Sequence, residues 1–188
     1  MVGLANPGPE FEGTRHNVGA EVVRALSRRC GSGRLRPEKG QRASVEEVRI
    51  GGSRVALAVP NTYMNESGAA VRPLLRRFGI ADLSRLVLVH DELDLQPGRI
   101  RVKLGGGLAG HKGLESVRAH LHDADFVRVR VGIGKPPGRQ PGADYVLRRP
   151  SRADRELLDV AVQQAADAVE LLVTEGVDAA MNRYNGAA

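Results

Sequence analysis

Short apolar runs of strand length alternate along this chain with segments whose apolar residues recur at helical spacing. That alternation constrains the fold more than any single motif does. Val2–Leu4 reads as the stub of a first strand, and GGSRVALAVP (51–60) contains a second that ends at Pro60. RLVLVHDEL (85–93) reads as a buried strand and RIRVKL (99–104) as another. FVRVRVGIG (126–134) alternates strictly, which predicts Val127, Val129, Val131 and Ile133 on one face and Arg128 and Arg130 on the other. Between these runs, Asn17–Arg29 places Val18, Val22, Ala25 and Leu26 on one helical face. A second helix is predicted from about Glu66 to Phe78, with a kink or restart at Pro73, whose ring and missing N–H break the ladder. A third carries Leu114, Val117 and Leu121. A long one begins at Ser151, with Asp154 in its first turn and apolar residues through Leu172.

The pattern predicts the α/β class: a single domain over residues 1–188, built on a twisted, mostly parallel (mixed) sheet with helices on both faces. With 188 residues the chain has the length of one ordinary domain. Aromatics make up 3% and Trp is absent, so the core has to come from Val, Leu, Ile and Ala, a composition suited to buried parallel strands. The polar, Gly-rich segment 29–44 reads as a mobile connection and KPPGRQPGAD (135–144) as a surface loop.

The 28 Lys and Arg outnumber 22 Asp and Glu, for a formal charge of +6. Such an excess favours a polyanionic partner, because each neutralised phosphate releases condensed counterions. The single cysteine, Cys30, excludes an intramolecular disulfide and points to a reducing compartment. The first residues, MVGLANPG, have neither the charged leader nor the apolar run of a signal peptide, and the longest clean aliphatic run, LVLV (86–89), is too short to cross a bilayer. The chain reads as soluble, cytoplasmic and without a membrane partner.

Residues 103–117, KLGGGLAGHKGLESV, satisfy the G-x-G-x-x-G dinucleotide pattern at Gly105, Gly107 and Gly110. That pattern needs a second strand ending in a carboxylate for the ribose, and here the next strand ends Gly132-Ile133-Gly134-Lys135. A nicotinamide site is therefore disfavoured, and no Gly-Lys-[Ser/Thr] follows to make a P-loop. The loop can still receive an anion at the start of a helix, flanked by Lys103, His111 and Lys112, or it can simply be a tight turn.

Four polar stretches fall where strands end. Asn6 lies just beyond the first strand and His16 just before the first helix. Asn61, Tyr63, Met64 and Asn65 lie between strand and helix, and Asp91 directly follows a buried strand. Ligands of open α/β sheets bind at such carboxyl ends. A His with a buried carboxylate is a general base, Asn side chains donate to a carbonyl or oxyanion, and Met64 with Tyr63 can form an apolar wall. Ser67 has no nucleophile elbow around it, and no metal-ligand spacing joins His16, His90, His111 and Cys30, so direct activation of water is the economical chemistry, with no metal and no cofactor. Singly, each of these residues also serves as a cap or turn residue. His90 and His111 read as structural, and His120 and His122 as a surface helix end.

GLANPGPEFEGTRHNVG, PNTYMNESGAAV, LVLVHDELDLQPGRIRVKLGGG, GHKGLESV and the tail YVLRRPSRADRELLDVAVQQAADAVELLVTEGVDAAMNRYN together resemble the bacterial peptidyl-tRNA hydrolase family. The likeness runs from Met1 to about Asn185. It implies a monomeric enzyme that cleaves the ester between a peptide and the 3′ ribose of tRNA, with peptidyl-tRNA as its partner. By motif position His16 is the implied base, Asp91 the residue that holds it, and Asn6 the group that distinguishes N-blocked from free aminoacyl ends. Asn65 is implied to hold substrate or water, Met64 to share its wall, and Phe11 and Tyr63 to flank the substrate's end. Lys103 and Arg130 fall on basic positions associated with the tRNA backbone. The family pattern GHNG is here GHKG, with Lys112 where an Asn is usual; Lys donates but cannot accept. The alternative that this raises is an RNA-binding paralogue with weak or no hydrolase activity.

Overall fold

In the computed structural model, which describes residues 1–186, strands and helices alternate as the apolar pattern requires. The strands are β1 (Val2–Gly3), β2 (Arg36–Glu38), β3 (Ala43–Ile50), β4 (Ser53–Pro60), β5 (Val87–Glu92), β6 (Ile100–Leu104) and β7 (Val127–Gly132). The helices are α1 (Val18–Cys30), α2 (Ser67–Arg77), α3 (Lys112–Leu121), α4 (Gly142–Val146), α5 (Arg152–Glu175) and α6 (Val177–Asn185).

All seven strands form one sheet in the order β2-β3-β4-β1-β5-β7-β6. The central four, β4-β1-β5-β7, are parallel, whereas β2 and β3 at one edge and β6 at the other pair antiparallel. The sheet is thus mixed around a parallel centre. Every residue of β5 is buried, as a central strand covered on both faces must be. One apolar cluster joins α1 and α5 to Val87, Val89, Val127, Val129 and Val131. A second joins α2 and α3 to Leu88, Leu4 and Phe126 on the opposite face.

Helix α1 lies almost directly on strand backbone. A Cβ on Gly3 would come 2.2 Å from the Gly19 carbonyl oxygen, and one on Gly19 would come 2.3 Å from that of Val89. This close approach brings the turn before α1 to the carboxyl ends of β1 and β5.

Two expectations need correction, and a third gains a detail. Segment 29–44 is not simply a connection, since it contains β2 and leads into β3, an eight-residue antiparallel partner of β4 that the sequence reading did not predict. Helix α2 runs unbroken through Pro73 and does not restart there. Arg128, expected on the face opposite the valines, is there but is 2% exposed: its guanidinium donates to the Gly107 carbonyl at 2.8 Å and to that of Gly105. Ser151 does cap α5, accepting from the Asp154 N–H at 3.1 Å.

Candidate active site

The centre of the site is a carboxylate between two imidazoles. Asp91, at the end of β5 and 4% exposed, accepts through one oxygen, Oδ1, from His16 Nδ1 at 2.9 Å and from His111 Nε2 at 2.9 Å. Burial pushes the Asp91 carboxyl up, but the adjacent His16 and His111 outweigh it and hold the group well below the usual carboxylate range. Asp91 is therefore ionised at neutral pH.

The hydrogen-bond network assigns the protons. The Leu114 N–H donates to His111 Nδ1 at 3.3 Å, capping α3, so the His111 proton sits on Nε2 and points at Asp91. His16 gives its Nδ1 proton to the same oxygen. Its Nε2 keeps a lone pair and has no protein partner among the described residues. His111 thus caps a helix, as a structural histidine would, but it also belongs to the site, which the sequence reading missed. His90 remains in the core, edge-on to His111 at a centroid distance of 4.9 Å, and its burial pushes its pKa well below the ordinary imidazole value.

His16 sits in a single 3-10 turn, Arg15–Asn17, that is held from both sides. Arg15 donates to the carbonyls of Arg148 and Arg149 at 3.3 and 3.0 Å, pairs with Asp154 at 3.1 Å and stacks over the Tyr145 ring. Asn17 makes a two-way clamp on the backbone of Asn6: its Oδ1 accepts from the Asn6 N–H, and its Nδ2 donates to the Asn6 carbonyl, both at 2.9 Å. The Asn6 side chain in turn accepts from the Met64 N–H at 2.7 Å through Oδ1, which leaves its Nδ2 protons free to donate. Arg15 and Asn17 flank His16 in the GTRHNVG stretch, but nothing local shows what either side chain holds. Each can be read from sequence only as a turn residue.

Asn6, His16, Asp91 and His111 line one cleft of about 780 Å³ together with Met64, Asn65 and Lys112. Leu93, Val146 and Leu147 form its apolar side. Met64 is buried where a side chain on residue 113 would otherwise be, since a Cβ on Gly113 would lie 2.5 Å from its sulfur. Lys112 stands at the rim, its side chain 70% exposed and paired with Glu115 at 3.0 Å. Among the described residues, no Ser, Thr or Cys lines the cleft.

Other predicted residues lie apart from the cleft wall. Phe11 and Tyr63 meet edge to face at 6.3 Å, with Tyr63 exposed. Lys103 is exposed on β6. Arg130 is not a free cation: its Nε pairs with buried Glu92 at 2.9 Å. His16, Asp91 and His111 also form the one group of three potential metal ligands among the described residues, with donor atoms within 4.8 Å of one another. Both imidazole nitrogens that face Asp91 are committed to hydrogen bonds, so ligation there would require breaking both.

The fold and the cleft define an α/β protein whose cleft holds an imidazole supported by a buried carboxylate, with no Ser, Thr or Cys lining it among the described residues. The family model described as Peptidyl-tRNA hydrolase matches residues 1–188, and the chain belongs to that family. It is 49% identical to a peptidyl-tRNA hydrolase of Cutibacterium acnes, over 98% of this chain and 96% of that protein. Identity to the Rhodococcus erythropolis protein of the same name is 50%, with the same two shares covered. The crystal structure of peptidyl-tRNA hydrolase from Acinetobacter baumannii superposes with a TM-score of 0.91 at 38% identity, covering 98% of this chain and 93% of that one.

Proposed function

We propose that this chain hydrolyses the ester joining a peptide to the 3′ ribose of tRNA, with His16 as the base that activates water. The observation that carries the reading is the His16–Asp91 pair at 2.9 Å in a cleft that no Ser, Thr or Cys lines. Water is then the nucleophile. His16 Nε2 takes its proton as the oxygen attacks the ester carbonyl, and ionised Asp91 stabilises the imidazolium. The C–O bond to the ribose breaks, and the imidazolium returns the proton to the departing ribose oxygen. The free Nδ2 protons of Asn6 serve as donors to the acyl end. Asn65 holds substrate or water, Met64 provides the adjacent wall, and Phe11 with Tyr63 flanks the terminal nucleotide.

Lys103 contacts the tRNA backbone directly, while Arg130 contributes through its pair with Glu92. Lys112 at the rim meets the substrate as a cation. Its exposure and its pairing with Glu115 keep it off the catalytic pair, so the paralogue reading is not favoured. The family resemblance implies a monomer as the working unit, and a tRNA substrate supports a cytoplasmic protein. No helix among the described residues is long and apolar enough to cross a membrane.

The test is release of the amino acid from N-acetylaminoacyl-tRNA compared with the same tRNA lacking the acetyl group. Release from the blocked form only is expected, and His16→Ala should slow it about 10²–10⁴-fold, the usual worth of a general base. An unchanged rate in that variant would remove His16 from the mechanism.

A further inference from the structure

A second cavity, of about 550 Å³, opens between α1 and the β2–β3 edge of the sheet, and arginines surround it. Arg24 and Arg28 come from α1, Arg34 from the connection after it and Arg36 from β2, with Ser44 and Asn61 completing the polar wall. All four arginines are exposed, and none forms an ion pair among the described residues. Arg29, one position further along the same helix, contrasts with them, because it is paired to both Asp167 and Glu170. Among the described residues, no carboxylate lines the cavity. Glu46 on β3 is turned to the Ser27 hydroxyl and the Ser32 N–H, so it fixes the segment that carries Arg34 without neutralising it. Arg24 and Arg28 are also four residues apart, a like-charge spacing that disfavours an isolated helix. The arrangement calls for an anion from outside, and forked guanidinium donors match phosphate geometry.

The chain links the cavity to the catalytic cleft. Val59 and Asn61 lie at the carboxyl end of β4, three to five residues before Met64, which lines the cleft. Along α1, Arg24 lies about 9 Å from the first residue, Val18, at the helical rise of 1.5 Å per residue. Lys103 lies toward the opposite edge of the sheet, on β6. We infer that this arginine-walled cavity holds a phosphate group of the tRNA substrate outside the catalytic cleft, a reading that rests on the hydrolase function proposed above. Phosphates occur in every peptidyl-tRNA, whereas the peptide varies, so a pre-built cationic cavity suits the constant part of the substrate.

The test compares wild type, the quadruple variant Arg24→Gln, Arg28→Gln, Arg34→Gln, Arg36→Gln, and a control with Arg72, Arg76, Arg85 and Arg183 changed to Gln. Kd for deacylated tRNA is measured against salt, and kcat and KM on N-acetylaminoacyl-tRNA and on N-acetylaminoacyl-adenosine, which has no phosphate. The cavity variant should bind tRNA about tenfold more weakly, the low end for lost charge-assisted hydrogen bonds. Its log–log salt slope should be shallower by about 0.7–0.9 per lost contact. KM on tRNA should rise with kcat nearly unchanged, and the adenosine substrate should be cleaved as by wild type. Unchanged tRNA binding would overturn the inference. An equal loss in the control would reduce the effect to the general field of the molecule, and a defect that persists on the adenosine substrate would give the cavity to the acyl group; either also overturns it. Failure of wild type to cleave any substrate would remove the hydrolase reading, and deacylated-tRNA binding would still decide the cavity.

Discussion

At the scale of single residues, the site depends on one buried carboxylate oxygen serving two imidazoles. Because Leu114 caps through His111 Nδ1, the tautomer of His111 is set by the start of a helix rather than by the substrate. His90 supplies a pH test of the same region. Its folded pKa lies well below that of a free imidazole because it is buried, so the unfolded chain takes up a proton there that the folded chain does not. Stability from this group is complete above the unfolded value of about 6.5 and falls as the pH drops below it. The urea midpoint of the wild type should therefore decline between about pH 7 and pH 5, and His90→Asn should flatten that decline. Parallel curves for the two proteins would show that His90 does not titrate on unfolding in this range. His16 and Asp91 were legible in the sequence as a histidine and a carboxylate at the ends of elements, and the fold pairs them at 2.9 Å. His111 was not, because a histidine before a helix is equally a cap, and here it does both jobs.

At the scale of elements, the close contact of α1 with β1 and β5 positions His16. Gly19→Ala adds a methyl 2.3 Å from the Val89 carbonyl oxygen, so the helix has to lift off the sheet. A destabilisation of about 1–3 kcal/mol is expected by urea denaturation, the usual range for overpacking, together with a loss of kcat as His16 moves from Asp91. Stability and turnover equal to wild type would show that the helix can shift without cost. The glycine loop has a similar anchor. Arg128 spans the Gly105 and Gly107 carbonyls, and that loop leads directly to His111. Arg128→Gln is too short to bridge both, so amide exchange across residues 105–110 should accelerate and kcat should fall. Unaltered exchange would mean that the loop holds its shape without the bridge. Strict alternation in FVRVRVGIG put Arg128 and Arg130 on the face opposite the valines, and they are there. That face is not solvent, because the glycine loop folds over Arg128 and Glu92 pairs with Arg130.

At the scale of the whole molecule, the +6 charge is unevenly available. Arg15, Arg29, Arg130 and Arg155 are spent on internal ion pairs, whereas Lys103 and the arginines of the α1 cavity are not. Lys103→Ala should weaken tRNA binding and make its log–log salt slope shallower by about 0.7–0.9, the signature of one lost phosphate contact. An identical slope would show that Lys103 touches no phosphate. The parallel centre of the sheet was readable from aliphatic runs separated by helices. The β2–β3 edge was missed because ASVEEVRI is half polar, although Gly51-Gly52, both at positive φ, form the two-residue hairpin turn that joins it to β4.

What the sequence determined by itself is local and periodic: the alternation of strands and helices, the Ser151 cap, and which polar residues follow the carboxyl ends of strands. These are written in neighbouring residues, through backbone preference and the spacing of apolar side chains. What only the tertiary structure decided is which distant groups share a proton or a charge: His16 and His111 on one oxygen of Asp91, Asn17 clamped to Asn6, Arg128 bound beneath a loop, and four arginines left around one cavity. Those contacts join segments many residues apart, and no local propensity distinguishes a histidine that caps a helix from one that also reaches a buried carboxylate. The packing of α1 against bare strand backbone settles it, by bringing the turn before the helix to the ends of β1 and β5.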